Sequence, residues 1–346
     1  MTTAADVAPR AANLLERRYP ALLALPRADL LLDDGVGTPL ERSAAADSLW
    51  VKRDDLNAPK LGGNKVRALE YLLGAVAPGD RVLTVGGVGS THALSTVVHA
   101  HRLGARTTVV RWPQEMNDAA RDVDRRLRAE SDRVHDAPNV AAAYLRVGYE
   151  RLRARLARTP LHWIPAGGTT PLGILGHVNA ALELAAQLER APIPAPARVV
   201  LPLGSGGTAA GLALGFAIAG LRSTVIGVRV VPRVVARGAR VLALAHRTAR
   251  LIERISAARA RPVSVPRPPR ALVRVEHLFY GGAYGREIDA GRDAAERFAR
   301  AHGGCKLDAT YSAKAFAAAL AAADGSPTVF WMTFDGRWRD GGPAAV

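Results

Sequence analysis

The stretch L-W-V-K-R-D-D-L-N-A-P-K-L-G-G-N-K-V-R-A-L-E, Leu49 to Glu70, passes from a short apolar strand through a charged cluster, Lys52-Arg53-Asp54-Asp55, to a loop closing on Gly62-Gly63-Asn64. Apolar residues then recur at Val66, Leu69, Leu72, Leu73 and Val76, the spacing of a helix. Lys65 thus opens a helix straight after two glycines, whose missing side chains let the backbone approach a bound group closely. A helix N-terminus carries partial positive charge, which disfavours a second positive charge on an adjacent amine. Two readings follow from the window alone: a poised amine nucleophile, or a capping loop followed by an ordinary surface lysine.

Composition bears on that choice. The 346 residues hold only five lysines, Lys52, Lys60, Lys65, Lys306 and Lys314, against 42 arginines. A chain that uses arginine wherever a cation will do keeps lysine where an amine is required, because a guanidinium stays protonated. The length suffices for one large or two ordinary domains. Apolar content of 49% with 23% charged residues is that of a soluble globular protein. The single cysteine, Cys305, excludes an intramolecular disulfide framework and suits a reducing cytoplasm. The N-terminus has no continuous apolar run and the chain no run of 18 apolar residues, so neither a signal peptide nor a membrane span is expected.

A net charge of +16 raises the question of nucleic acid, and its distribution argues against it. Ten arginines against one acid, Glu253, fall between Pro232 and Arg270. There Leu244, Thr248, Leu251, Ile252 and Ile255 form an apolar stripe, so the segment reads as an amphipathic helix with a solvated arginine face. No aromatic residue interleaves with the arginines to stack on bases.

Along the chain, strands alternate with helices. Strands are expected at 81–87, 106–112, 161–165, 198–203, 224–231 and 328–332. Helices are expected at 91–103, 118–129, 140–156, 172–189, along the basic segment, at 288–302 and at 312–323. The pattern implies an α/β architecture with parallel sheets, and this many units favours two sheets over one. Ligands of such folds gather where strand ends lead into helix N-termini. Three loops stand out. Gly204-Ser205-Gly206-Gly207-Thr208 can turn several N–H groups onto a phosphate, or serve as a tight packing turn. It lacks a Walker lysine and G-x-G-x-x-G spacing. Gly86 to His92 brings Ser90 and Thr91 to a helix start, suited to a small carboxylate or to simple N-capping. The third region joins Gly281 to Gly285 with Leu307 to Lys314 and carries Tyr284 and Tyr311, two of only seven tyrosines.

The order of these motifs resembles the pyridoxal-phosphate enzymes of fold type II, the tryptophan synthase beta-like fold. Within them it resembles the D-cysteine desulfhydrase and 1-aminocyclopropane-1-carboxylate deaminase family. The resemblance is carried by T-P-L-E at 38–41, V-K-R-D-D-L-N at 51–57, G-G-N-K-V-R at 62–67 and T-V-G-G-V-G-S-T-H-A at 84–93. It continues in P-A-G-G-T-T-P-L-G at 165–173, G-S-G-G-T at 204–208, G-A-Y-G at 282–285 and L-D-A-T-Y-S-A-K-A at 307–315. It implies two open twisted parallel-sheet domains, a larger cofactor-binding one of residues 1–67 and 178–346 and a smaller one of residues 68–177. It implies pyridoxal 5'-phosphate as cofactor, a small amino acid as substrate, a cytoplasmic homodimer, and no metal, membrane or nucleic-acid partner. Lys65 would bind the cofactor covalently and shuttle the α-proton. Gly204, Ser205, Gly206, Gly207 and Thr208 would hold the phosphate. Asn64, Thr91 and Thr333 would complete the cofactor site, Thr333 beside the pyridine nitrogen. Ser90, Thr91 and His92 would meet the substrate, and Ser90, Tyr284 and Tyr311 would join Lys65 in catalysis.

Several positions depart from the family pattern. Gly89 and Thr91 stand where glutamine and asparagine usually flank the serine. Met332-Thr333-Phe334-Asp335-Gly336 replaces H-T-G-G, with an added Trp331. Ser312 carries a hydroxyl where the deaminases have glutamate and the desulfhydrases threonine, and Ala313 replaces a usual glycine. The expected activity is β-elimination from a small amino acid such as D-cysteine, giving a 2-oxo acid and ammonia. The alternatives are cyclopropane ring opening, biosynthetic β-replacement, or cofactor binding without turnover.

Overall fold

The structure, a computed structural model, describes residues 11–32 and 37–337. Residues 1–10, on which the expectation of no signal peptide falls, 33–36 and 338–346 lie outside the described residues. In chain order come α1 (Leu14–Arg18), β1 (Leu40–Arg42), β2 (Leu49–Arg53), α2 (Asn64–Leu72), β3 (Arg81–Gly87), α3 (Thr91–Arg102) and β4 (Arg106–Trp112). They are followed by α4 (Asp118–Glu130), β5 (Arg133–Asp136), α5 (Val140–Leu156), β6 (Leu161–Ile164), α6 (Pro171–Arg190), β7 (Arg198–Leu203) and α7 (Gly207–Ala219). The last are β8 (Thr224–Arg229), α8 (Gly238–Ala258), β9 (Val273–Glu276), α9 (Asp289–Ala301), α10 (Ser312–Ala321) and β10 (Thr328–Met332).

The strands form two sheets, as the alternation implies. One has the order β1-β2-β10-β7-β8-β9, the other β5-β4-β3-β6. Every pairing is parallel except β1 with β2. In that exception residues 40–42, for which no strand is expected from the sequence, pair antiparallel with Trp50–Lys52. Three residues behind Pro39 are too short to show a period, and Arg53 on β2 ties the edge down through Glu41. Buried β3 and β10 are apolar runs shielded on both faces, as central parallel strands require.

The small-residue helix α7 is buried almost throughout and lies against α6. Gly211 and Gly215 permit this, since a Cβ on Gly211 would meet His177 and one on Gly215 would meet Ala181. α8 packs Val241, Leu244, Ala245, Thr248, Ala249 and Ile252 on the same core, with Leu251 and Ile255 at its border. α2 ends at Leu72, short of Val76, and faces two ways. Tyr71 belongs to the core of the larger sheet, whereas Val66, Leu69 and Leu73 pack beneath the smaller one. Among the described residues no helix is long and apolar enough to cross a membrane.

Candidate active site

Gly62 and Gly63 are required by the chain's own backbone, and Gly62 also lines the same cleft as Lys65. A Cβ on Gly62 would lie 2.3 Å from the Asp55 carbonyl oxygen, and one on Gly63 2.5 Å from that of Thr333. Gly63 also has a φ of 112°, which side-chain-bearing residues rarely adopt. The Asn64 N–H donates to the Thr333 carbonyl at 3.1 Å, and Asp335 accepts the Gly62 N–H at 3.1 Å. The loop before Lys65 is thereby stitched to the end of β10, and Lys65 starts α2 at a fixed point.

Lys65 opens into a cleft whose empty space is about 640 Å³, part of it open to solvent. The wall opposite is Gly204 to Thr208, and Asn64, Thr91, Ser95, Tyr311 and Thr333 also line it. Burial pushes the Lys65 amine down to about 8 by desolvation. Behind it, burial and then Lys65 itself push the imidazoles of His92 and His177 down to about 3, so both are neutral near pH 7.

The loop Gly204 to Thr208 suits a phosphate. Its last turn enters α7 at Gly206, in the left-handed region with a φ of 92°, and no side chain caps that helix. By contrast α3, α4, α5 and α6 each begin with a side-chain cap, from Ser90, Asn117, Asn139 and Thr170. The first N–H groups of α7 therefore face the cleft without a capping side chain, at the positive end of a buried helix. Around them Thr169 donates to the Ser205 hydroxyl at 2.6 Å, and Asn64 Nδ2 donates to Thr208 Oγ1 at 2.7 Å. The residues present fit a phosphate-bearing cofactor that also needs an amine. Among the described residues no carboxylate lines the cleft.

Not every residue singled out from sequence reaches the cleft wall. Ser90 caps α3, its Oγ accepting the Ala93 N–H at 3.3 Å, and it is not among the lining residues. His92 is buried, with Nε2 3.4 Å from Thr84 Oγ1. Tyr284 stands behind Tyr311, hydroxyl to hydroxyl, with the rings edge to face. Burial pushes both phenols up, Tyr311 furthest, so both are protonated at neutral pH. Asp308 accepts the N–H groups of Tyr311 and Ser312, and Asn117 holds the tyrosine loops through Gly285 and Thr310. Of the departures, Gly89 sits in a turn with a φ of 78°, where a Cβ would strike Ala120. Trp331 is buried away from the cleft and donates to Asp54.

Two features escape a reading of sequence. Ser95, one turn after Thr91, is marked only by its i, i+4 spacing. The other is a buried ionic cluster. Lys52 Nζ donates to Glu183, Gln187 and the Thr38 carbonyl at 2.5, 2.8 and 2.6 Å. Arg67 joins Glu183 at 2.9 Å to Asp54 at 2.5 Å.

The family described as pyridoxal-phosphate dependent enzyme matches residues 31–332. A nocardicin C-9' epimerase of Nocardia uniformis subsp. tsuyamanensis is 37% identical, over 92% of this chain and 95% of its own length. A D-cysteine desulfhydrase of Serratia proteamaculans (strain 568) is 32% identical, over 93% of this chain and 92% of its own. A solved structure of an ACC deaminase homologue superposes with a TM-score of 0.74 at 28% identity, covering 92% of this chain and 94% of that one.

Proposed function

The chain belongs to the pyridoxal-phosphate dependent enzymes of fold type II, and from that membership we propose a lyase acting on a small amino acid with a β-leaving group. D-cysteine or a related D-amino acid is the proposed substrate, with a 2-oxo acid, ammonia and the released leaving group, sulfide from D-cysteine, as the products. The observation that carries the reading is the convergence of Lys65, the uncapped start of α7 and Tyr311 on one cleft.

The chemistry that bound pyridoxal phosphate supplies is an aldehyde carbon for amines and a conjugated ring that draws electron density from the substrate's Cα. Gly204 to Thr208 would hold its phosphate, with Thr208 oriented by Asn64. Lys65 would hold the cofactor through its amine and is the base placed to take the substrate's α-proton. Its lowered basicity leaves a useful fraction unprotonated near neutrality. Tyr311, kept neutral by burial and backed by Tyr284, delivers a proton to the leaving group. At the start of α3, Thr91 on the cleft wall would receive the substrate carboxylate; Ser90, which caps the helix, and His92, buried beside Thr84, would have to turn toward the cleft to join it. Thr333 would lie beside the pyridine nitrogen, where a neutral hydroxyl would make the ring a weak electron sink. That suits β-elimination, in which charge at Cα need not persist. The same reading divides the chain into units of residues 1–67 with 178–346 and 68–177, and makes the protein a cytoplasmic homodimer, checked by sedimentation.

A second reading is stereoinversion at Cα. The 37% identity to an epimerase over nearly the whole chain favours it, as do two proton carriers, Lys65 and Tyr311, on one cleft. A panel of D- and L-amino acids with 1-aminocyclopropane-1-carboxylate, assayed for 2-oxo acid and for product chirality in deuterated water, separates the two. The lyase forms 2-oxo acid; inversion with solvent deuterium and no 2-oxo acid replaces it by the second reading. Tyr311→Phe and Tyr284→Phe are expected to lower kcat by about 10²–10⁴ with the cofactor's absorption band unchanged. A protein that takes up cofactor, whose spectrum no amino acid perturbs, is a binder without turnover.

A further inference from the structure

Ser95 lines the cleft on α3, one helical turn beyond Thr91, and its Oγ has no hydrogen-bond partner although the residue is only 3% exposed. The next residue shows the usual fate of a helical hydroxyl: Thr96 Oγ1 donates to the His92 carbonyl at 2.9 Å. Ser95 does not make the equivalent bond to Thr91. A buried hydroxyl without a partner is unfavourable relative to alanine, so packing alone gives no reason for serine here. The hydroxyl is instead matched by something that enters the cleft.

Resting on the cofactor site proposed above, we infer that Ser95 is a binding residue for pyridoxal phosphate, its Oγ bonding the phenolic oxygen of the ring with Thr91 beside it. Three polar ends of the cofactor need partners. The phosphate has the α7 start, and the pyridine nitrogen is given to Thr333. The phenolic oxygen neighbours the carbon that Lys65 attacks, so its partners must also lie on the cleft near Lys65. Asn64 has its amide nitrogen on Thr208, and the Tyr311 hydroxyl, backed by Tyr284, is the group assigned above to the leaving group. Thr91 and Ser95, at i and i+4, present two short hydroxyl side chains on one face of α3.

The test compares wild type with Ser95→Ala, titrating apoprotein with pyridoxal phosphate by visible absorbance and measuring thermal unfolding of the apo and loaded forms. Expected are a Kd raised about five- to tenfold, the size of one neutral hydrogen bond, and a shifted absorption maximum. The apo form should unfold at the same or a higher temperature, because the unpaired hydroxyl is gone. The stabilisation on loading should shrink with the weaker affinity. An unchanged Kd and band overturn the inference, and so does an equal loss of stability in both forms, which marks Ser95 as structural. A raised KM for the amino acid with cofactor binding intact overturns it in favour of a substrate contact. A wild type that takes up no cofactor at Lys65 overturns the site reading itself, and this inference with it.

Discussion

At the scale of the residue, the decisive quantity is the basicity of Lys65. Burial lowers it to about 8, whereas the unfolded chain keeps the ordinary lysine value. Between those values the folded chain binds fewer protons than the unfolded one. The contribution of this group to stability therefore rises with pH across that window, and below pH 8 the buried ammonium is a cost. The same number sets reactivity. Covalent uptake of pyridoxal phosphate by the apoprotein should quicken by up to tenfold per pH unit below about pH 8 and level off above it, measured by stopped-flow absorbance. A flat profile between pH 6 and 9 contradicts a buried amine nucleophile. Lys65→Ala and Lys65→Arg should both abolish the covalent attachment, since guanidinium provides no nucleophilic amine. The scarcity of lysine had a physical meaning at three positions. Lys52, Lys65 and Lys314 are largely or wholly enclosed, whereas Lys60 and Lys306 are exposed. Lys52 shows why an ammonium is kept: a compact head meets three acceptors at once, where a planar guanidinium has a different shape.

At the scale of the element, the ionic cluster clamps α2 to β2 and α6. Burial alone would raise the Glu183 carboxyl, but Arg67 and Lys52 outweigh it and hold it down to about 2. Its stabilising contribution is thus complete above the ordinary glutamate range and fades as pH falls through about 2. Glu183→Gln leaves two buried cations short of a partner. It should cost about 3–5 kcal/mol, read as a lower urea midpoint at pH 7, and should remove part of the wild type's loss of stability in acid. An unchanged midpoint would mean that the cluster is neutral overall. None of this was legible in the sequence, because its charges come from residues 52, 54, 67 and 183, and a charge run looks the same whether solvated or buried. The central strands were legible for the opposite reason: R-V-L-T-V-G-G and T-V-F-W-M are apolar because both faces are covered. Edge strands β5 and β9, R-V-H-D and V-R-V-E, are four residues long and half charged, so they carry no such signal. At the site, the glycine loop and Lys65 announced themselves by local spacing. Ser95 did not, since its significance is an absent bond.

At the scale of the whole molecule, the cleft draws its walls from loops and helix starts associated with both sheets, with α2 packed against the cores of each. Of the ten arginines between Pro232 and Arg270, four lie on α8, whose opposite face is part of the larger core, and of these Arg240 donates to the Ser205 carbonyl of the glycine loop at 3.5 Å. The position of β10 has a consequence in time. This strand, at residues 328–332, inserts between β2 at 49–53 and β7 at 198–203. During synthesis β2 emerges early, yet its inner neighbour follows only after nearly all the remaining described chain, tens of seconds later at about 5–20 residues per second. Until then one edge of β2 stands open, and Asn64 lacks the Thr333 carbonyl that fixes the start of α2. The larger sheet can therefore close only late in synthesis, and cofactor capture should report completion of the chain. Ribosome-bound chains stalled after Ser326 has left the exit tunnel should fail to retain pyridoxal phosphate, whereas chains with residue 337 outside the tunnel should hold it. Equal capture by both would show that the nascent site forms without its last strand.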